Sequence, residues 1–286
     1  MLATLTQLDR TDYPSSLLEI PSPPEKLWVR GSWAPAGTKH LAVVGSRALT
    51  RYGKEACDML ISGLAGYPVS IVSGLALGAD AAAHRAALKA GLHTLAIPGS
   101  GLNDDVISPR SNSDLAQEIL ASGGMLLSEQ EPGEPSRPQY FPSRNRIMVG
   151  LADAILVIEA GDKSGTLITA RLASEYNRDL LCVPHRIGDA HGFGSHLFIR
   201  LGAALVTEPL HILEALRIKP REGTDLALAG KLEGAEKTMY AVLVDPLPRD
   251  EAIRESRLSV GEALTALVSL ELKGLIREEF GAWRRI

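Results

Sequence analysis

The chain has 286 residues, of which 45% are hydrophobic and 22% charged, so it is long enough to bury a sizeable core without a metal or a disulfide framework. Its 30 basic and 34 acidic residues give a formal charge of −4, which excludes histone-like binding of nucleic acid through bulk positive charge. Any nucleic-acid site must therefore be a local cluster of cations.

The cysteine pattern and the apolar runs indicate the cellular compartment. Cys57 and Cys182 each lie in an apolar run and have neither Cys-x-x-Cys nor metal-ligand spacing, which is typical of reduced core residues. Residues 1–10 lack the features of a signal peptide, and no apolar stretch approaches the roughly 20 residues of a membrane span. These observations predict a cytoplasmic protein with no membrane segment.

Residues 1–38 are predicted to form an extended lead-in that packs on a neighbouring element. The segment from residue 11 to residue 37 is rich in serine and proline, and only one short apolar run interrupts it. Proline-rich composition of this kind favours turns and extended backbone.

Between residues 39 and 217, short apolar runs alternate with stretches of helical periodicity. The runs, which predict buried strands, are Leu41–Val44, Val69–Val72, Thr94–Ile97, Met125–Leu127, Ala154–Ile158 and Leu180–Val183. The helical stretches are Lys54–Leu64, Ala79–Lys89, Ser113–Ala121, Arg144–Leu151 and Leu167–Tyr176. Repeated strand–helix–strand units predict an α/β fold: a Rossmann-like, mostly parallel sheet with helices on both faces.

A change in composition predicts a linker over 218–231 and a small C-terminal domain over 232–286. Helical spacing of apolar residues recurs in this domain at Met239–Leu243, Glu251–Arg254 and Val260–Leu272, and the last residues alternate like a hairpin. This is the outline of a winged helix. Because residues 231–286 hold nine basic and ten acidic residues, we expect a protein-contact or regulatory module rather than a reader of duplex DNA.

The loops after four of the predicted strands are rich in glycine. In an open parallel sheet, ligands bind outside the carboxyl ends of the strands, and exposed N–H groups at a helix start favour an anion such as phosphate. In any single loop a tight turn explains the glycines equally well, but four such loops on one edge favour a binding site. The candidate binding residues in these loops are Gly45, Ser46, Ser73, Gly74, Lys163, Ser164, Gly165 and Thr166.

The same loops do not match the common cofactor motifs. Arg47 stands where a dinucleotide fingerprint has its second glycine, and residues 161–166 lack the Gly-Lys pair of a P-loop. NAD and ATP are therefore disfavoured, and no cofactor is expected. We expect Arg47 and, one helical turn further, Arg51 to present guanidinium groups to phosphate.

A second basic element, at 137–146, interleaves arginines with aromatic rings. Phe141, Arg144, Asn145 and Arg146 lie in it, and cations with stacking rings are the composition that binds single-stranded nucleic acid. Taken alone, the segment is better explained as a proline-rich surface loop whose phenylalanine fills a gap and whose arginines pair with acids.

The sequence offers no convincing metal site or catalytic set. Asp80 and His84 lie four residues apart, and three histidines fall within 185–196, but neither group has further ligands at metal-site spacing. Glu159 and Asp162 follow a strand without a nucleophile–base partner. We expect no bound metal and no catalysis.

Taken together, the motifs resemble the DprA/Smf family of DNA-processing proteins. They are Gly45-Ser46-Arg47, SGLALGAD at 73–80, FPSRNRIM at 141–148 and SGTLITA at 164–170. The resemblance extends from about residue 13 to residue 216 and, more loosely, through the C-terminal domain. Many members carry an N-terminal SAM-like helical domain, for which this sequence leaves no room.

The resemblance implies a recombination mediator of natural transformation that binds incoming single-stranded DNA, protects it and helps to load RecA in the presence of single-strand-binding protein. By the family's pattern, Arg47, Arg144 and Arg146 line a positively charged pocket for the DNA backbone, and Phe141 stacks on a base.

The family also forms dimers through the end of its Rossmann domain. The matching stretch is 194–203, in which Leu197, Phe198 and Leu201 are the candidate contacts, although a helix packed on its own sheet would look the same. His196 replaces the asparagine expected in the family.

Two alternative functions remain open. A nucleotide phosphoribohydrolase uses a related Rossmann variant, but Thr169 stands where that family has its catalytic glutamate, although a mononucleotide site could survive. A winged-helix regulator of duplex promoters is disfavoured because the predicted recognition helix carries Glu262 and Glu271.

Overall fold

A computed structural model describes residues 4–162, 164–220, 232–279 and 281–285. The chain divides into two compact units, Met1–Ile218 and Lys219–Ile286. The candidate residue Lys163, and the part of the predicted linker from 221 to 231, lie outside the described residues.

The first unit contains a nine-stranded sheet. Its strands are β1 (Leu5–Leu8), β2 (Leu27–Gly31), β3 (Lys39–Val44), β4 (Val69–Ser73), β5 (His93–Ala96), β6 (Met125–Ser128), β7 (Ala154–Val157), β8 (Asp179–Cys182) and β9 (Ala204–Leu205). They lie in the order β1-β2-β6-β5-β4-β3-β7-β8-β9. The six strands predicted from the sequence are β3 to β8, and every pair that neighbours among them is parallel.

Helices follow most of these strands. They are α1 (Ser15–Leu18), α2 (Arg51–Ser62), α3 (Ala79–Lys89), α4 (Ser113–Ala121), α5 (Tyr140–Leu151), α6 (Thr166–Glu175), α7 (Phe193–Arg200) and α8 (Pro209–Ala215). Within the described residues, no helix has the length and apolar character needed to cross a bilayer.

The sheet has a hydrophobic core on each face. Met125 and Leu127 of β6 belong to one buried cluster together with residues of α1, α5 and α6. Leu126, between them, belongs to another cluster together with residues of α3 and α4. This alternation follows from the two-residue period of a strand. Helices therefore cover both faces, and the predicted Rossmann-like fold class is confirmed.

The N-terminal segment differs from the expected extended lead-in. It contributes β1 and β2 to the sheet, and β2 pairs antiparallel with β6. Leu27 and Val29 of β2 are buried, so this segment contributes to the core of the sheet. The prolines that dominate the composition lie in the flanking loops, where they do not remove a ladder hydrogen bond.

The second unit has the predicted outline of three helices and a hairpin. Its elements are α9 (Gly234–Val242), β10 (Leu247–Pro248), α10 (Arg249–Ser256), α11 (Val260–Leu272), β11 (Ile276–Glu279) and β12 (Ala282–Arg285), and β12 lies between the other two strands. Met239, Leu267 and Trp283 are buried in its core. Glu262 forms a capping box with Ser259 at the start of α11, so this acidic residue stabilises the helix end.

Both cysteines are buried and free, as the sequence predicts. Burial raises the pKa of the Cys57 thiol, and that of the Cys182 thiol, to about 12. Both thiols are therefore protonated at neutral pH and unreactive, because the thiolate is the reactive form.

His84 lies on α3 as a neutral, fully buried side chain. Its Nδ1 is 2.7 Å from Thr94 Oγ1, and because that hydroxyl donates to the Ile71 carbonyl, Nδ1 is the donor of this bond. Burial lowers the pKa of His84 to about 3, and the positive charge of Arg144 contributes in the same direction. His84 is therefore a packing residue of the core. Among the described residues, no three potential metal ligands lie close enough together to hold an ion.

We predict that His84 makes the fold sensitive to acid. Below about pH 6.5 the unfolded chain protonates this histidine and the folded chain does not, so the free energy of unfolding falls by about 1.4 kcal/mol for each pH unit lost, down to the folded-state pKa. Urea unfolding of the parent and of His84→Gln between about pH 5 and pH 7 measures this slope. The variant should be less stable than the parent at neutral pH, but its free energy of unfolding should depend less on pH. Equal slopes for the two proteins would contradict the assignment of the acid sensitivity to His84.

Candidate nucleic-acid interface

A pocket of about 820 Å³ opens at the carboxyl edge of the parallel sheet. The loop after β3, the first turns of α5 and the loop before α6 line it. Nine of the predicted residues meet there: Gly45, Ser46, Arg47, Phe141, Arg144, Asn145, Ser164, Gly165 and Thr166. We call this cavity the strand-end pocket. Three segments widely separated in sequence thus converge where the topology predicts a ligand site.

Arg47 is exposed in this pocket and lies against an aromatic ring. Its guanidinium carbon is 4.9 Å from the centre of the Phe141 ring, which is within the range of a cation–π contact. The ring packs over Gly99, where an added Cβ would lie 2.7 Å from it. The opening of the pocket therefore presents one cation and one half-buried ring together.

The loop that carries Arg47 is anchored to the start of α3. The Ala79 amide donates to the Ser46 carbonyl at 3.0 Å. Gly78, with φ of +73°, lets the two segments approach, because a Cβ there would lie 2.2 Å from the Ser46 oxygen. These contacts hold the backbone while the Arg47 side chain stays exposed.

Arg144 lies beneath the pocket. Its guanidinium donates to the Ile97 carbonyl at 2.5 Å and to Asp80 at 3.4 Å, and its Nε donates to Asn145 at 2.8 Å. Burial lowers the pKa of Arg144, and the Asp80 carboxylate opposes that shift. The side chain is only 10% exposed, so most of its hydrogen-bonding capacity holds the floor of the site.

Ser73 and Gly74 do not reach the pocket, contrary to expectation. Ser73 is buried and its hydroxyl donates to the Val43 carbonyl at 2.6 Å. Gly74 donates its N–H to Asp80 at 3.1 Å, and an added Cβ would lie 1.5 Å from the Arg144 guanidinium. The glycine is thus explained by close packing against an internal arginine rather than by approach of a ligand.

Arg146 is also absent from the pocket. It donates to the Ser22 carbonyl at 2.5 Å and forms an ion pair with Glu129. The basic segment is helical from Tyr140 onward, and residues two apart on a helix face different directions. Arg144 and Arg146 therefore diverge, as their positions in the predicted helical stretch Arg144–Leu151 already required, and the expectation that both line the pocket was wrong for Arg146.

Arg51 belongs to a neighbouring surface. It lies in the first turn of α2, is almost fully exposed and pairs with Glu55 at 2.7 Å. It lines a second cavity, between α2 and α3, rather than the strand-end pocket.

The start of α6 brings hydroxyl groups to the pocket. Ser164 Oγ accepts from the Thr166 amide at 3.2 Å and donates to the Thr166 hydroxyl at 2.8 Å. Gly165 is exposed with open space where a Cβ would lie. Thr169, one turn further, is buried and lines the same wall. The hydroxyl groups of this wall can donate hydrogen bonds to an anion, and the same loop also brings the exposed Asp162 to the pocket.

His191, one of the three histidines within 185–196, lines the pocket, although it was predicted to be neither a metal ligand nor a binding residue. It lies in the loop after β8, and its carbonyl accepts from the Ala160 amide at 2.9 Å. Only the folded conformation of that loop brings His191 near the pocket. Glu159, in contrast, is buried and accepts from the Thr50 amide at 3.1 Å, so it stabilises the start of α2.

The candidate dimer residues lie on α7. Leu197 and Phe198 are half-buried, and Phe198 packs against the core. Leu201 is 73% exposed, and Phe193 and Leu205 are about half exposed. Leu201 directly follows α7, and Leu205 belongs to β9, the strand at one edge of the sheet.

Two family models match the chain. One, described as DNA recombination-mediator protein A, matches residues 4–217, and the other, described as the DprA winged helix domain, matches residues 240–281. The second match confirms the winged helix predicted for the C-terminal domain.

The chain is also similar to individual proteins. It is 36% identical to Protein Smf of Escherichia coli, over 99% of this chain and 77% of that protein. It is 42% identical to the DNA processing protein DprA of Streptococcus pneumoniae, over 70% of each.

Two solved structures have a similar fold. DNA processing protein A from S. pneumoniae aligns with a TM-score of 0.69 and 38% identity, covering 76% of this chain and 75% of that one. DNA processing protein A from Helicobacter pylori aligns with a TM-score of 0.67 and 30% identity, covering 76% of this chain and 98% of that one. The work on the H. pylori protein describes its single-stranded DNA binding mode.

We predict that the Asp80 charge is essential for stability. Asp80→Asn leaves the buried Arg144 cation without a counter-charge, so the free energy of unfolding should fall by about 3 kcal/mol. Asp58→Asn is the matched control, because Asp58 pairs with Lys89 on the surface and should cost less than about 1 kcal/mol. Chemical denaturation of both variants checks this; equal losses would refute it.

Proposed function

The chain belongs to the DNA recombination-mediator protein A family, as its motifs predict, and from this premise we propose that it binds single-stranded DNA in the strand-end pocket. The observation that carries the proposal is the pairing of the exposed Arg47 with the Phe141 ring. A guanidinium binds a phosphate and a ring stacks on a base, which are the two requirements of single-strand binding.

The other walls of the pocket support an anionic ligand. Ser164, Gly165 and Thr166 provide hydroxyl and backbone donors on one side, and Asn145 lies on the other. Arg144 holds the floor, where its charge is paired with that of Asp80, so among the described residues the exposed cation of the pocket is Arg47. The binding we propose is local, and it accounts for a DNA partner in spite of the net charge of −4.

We further propose that the protein is a cytoplasmic recombination mediator of natural transformation, which protects incoming single strands and helps to load RecA in the presence of single-strand-binding protein. The description of the matching family as a recombination mediator supports this role. A homodimer through Leu197, Phe198 and Leu201 is part of the proposal, and the exposure of Leu201 and its apolar neighbours supports it.

A non-catalytic role suits the pocket better than nucleotide hydrolysis. Thr169 occupies the position of the catalytic glutamate of phosphoribohydrolases, and it is buried in the wall of the pocket. The carboxylate of Asp80, which also lines the pocket, accepts from the Gly74 and Ala76 amides and pairs with Arg144. It is therefore not free to act as a base.

We predict that Arg47→Ala weakens binding of labelled oligothymidine by about tenfold, because a charged hydrogen bond to phosphate is lost. The slope of log affinity against log salt should fall by about 0.7, the value for one contact to a single strand. Fluorescence anisotropy between about 50 mM and about 200 mM salt measures both. Arg10 is an exposed arginine outside the pocket, so the control variant Arg10→Ala should bind with the affinity of the parent. Unchanged binding by Arg47→Ala would remove Arg47 from the site.

We predict a separate contribution from the aromatic ring. Phe141→Ala should lose about 1 to 3 kcal/mol of binding free energy if the ring stacks on a base. Phe141→Tyr keeps the ring and should retain most of the affinity. Phe141→Leu keeps the apolar packing over Gly99 but lacks the ring, and it should lose affinity as the alanine variant does. Equal affinities for the leucine and tyrosine variants, at unchanged Tm, would argue against stacking.

A further inference from the structure

A second cavity, of about 1060 Å³, lies between α2 and α3. Five cationic side chains line it, with two acidic ones: Arg47, Arg51, Lys54, Arg85 and Lys89, with Glu55 and Asp58. We call it the α2–α3 groove. We propose that it binds the sugar-phosphate backbone of the same single strand where that strand leaves the strand-end pocket. The inference rests on the proposed function and extends it to a second binding surface.

The cations of the groove are only partly neutralised. Arg51 pairs with Glu55 at 2.7 Å, and Lys89 pairs with Asp58 at 3.1 Å. Within the residues that the structure describes, the exposed side chains of Lys54 and Arg85 make no hydrogen bond or ion pair with the protein. Together with Arg47, these two side chains place three cations without a partner carboxylate among the described residues in one cavity, and such a local excess of positive charge favours an anionic ligand.

Each helix contributes two of these cations to the lining of the groove. Arg51 and Lys54 lie one turn apart on α2, and Arg85 and Lys89 lie one turn apart on α3, a spacing of about 5 to 6 Å along each helix. Small residues just before and within α3 also line the groove, namely Gly78, Ala81, Ala82 and Ala86. Long charged side chains and small neutral ones thus share the lining.

The groove adjoins the strand-end pocket. Arg47 and Ala48 line both cavities, and the Arg47 guanidinium also lies over the Phe141 ring. A strand bound at Arg47 can therefore pass directly from the pocket into the groove, without crossing a stretch of surface that lacks a cation.

The lining of the groove favours the backbone over the bases. The described residues that line it include no aromatic ring, and Leu77 is the large apolar side chain most exposed there. Contacts would thus be to phosphates and independent of sequence. A single strand can turn from the edge of the sheet onto the helices, whereas a duplex, with a persistence length of about 50 nm, resists such a bend.

Length dependence of binding tests the proposal. Labelled oligothymidines of about 6 and about 25 nucleotides are titrated with the parent and with Lys54→Glu/Arg85→Glu. The short probe, held in the strand-end pocket, should bind both within about twofold. The long probe should bind the variant at least about tenfold more weakly, with a salt slope smaller by about 1.4, the value for two phosphate contacts.

Control variants separate this inference from the proposed function. Arg10→Glu/Lys237→Glu changes the net charge by the same amount at exposed positions outside both cavities, and it should leave both probes unaffected. Three outcomes would each overturn the proposal. The groove variant could bind both probes equally more weakly than the parent, the control variant could bind the long probe as weakly as the groove variant, or the loss of affinity could be confined to a matched duplex. If the parent bound neither oligothymidine, the proposed function itself would fail.

Discussion

The buried ion pair of Arg144 and Asp80 is the interaction on which the site depends. It joins α5 to the start of α3, and the same arginine binds the carbonyl that follows β5. Asp80 in turn holds the loop after β4 through two backbone amides. Three segments that converge at the sheet edge are thereby fixed around one buried charge. Removing either partner would leave the other unpaired in a medium of low dielectric constant, which is why such a pair constrains its surroundings strongly.

This constraint divides the arginines by role. Arg144 is buried and structural, Arg146 ties α5 to the N-terminal segment, and Arg47 remains exposed at the opening of the pocket. Side chains of one chemical type thus perform different tasks because their environments differ. An exposed guanidinium keeps its donors available for a ligand, whereas a buried one must satisfy them within the protein.

The charge distribution is more informative than the net charge. The chain carries an excess of acid, yet three cations without a partner carboxylate in the described part of the chain, Arg47, Lys54 and Arg85, line one cavity. Phosphate responds to the local potential within about 10 Å in ordinary salt. An acidic protein can therefore bind a polyanion, provided that its own carboxylates are paired or distant from the binding surface. The ion pairs of Glu55 and Asp58 meet that condition in the α2–α3 groove.

The sequence by itself determined the α/β fold, its six central strands, the winged-helix outline and the position of Arg47 at the carboxyl edge of the sheet, because hydrophobic periodicity and short motifs are local properties. It did not predict β1 or β9, which have only four and two residues, or β2, whose short apolar run follows a proline-rich stretch. Only the tertiary structure decided which arginines reach the pocket, since the direction of a side chain depends on its helix face and on distant partners. Gly74 and Arg144 illustrate this. Each matches a binding motif, but the two residues, 70 positions apart in the chain, pack against each other in the interior.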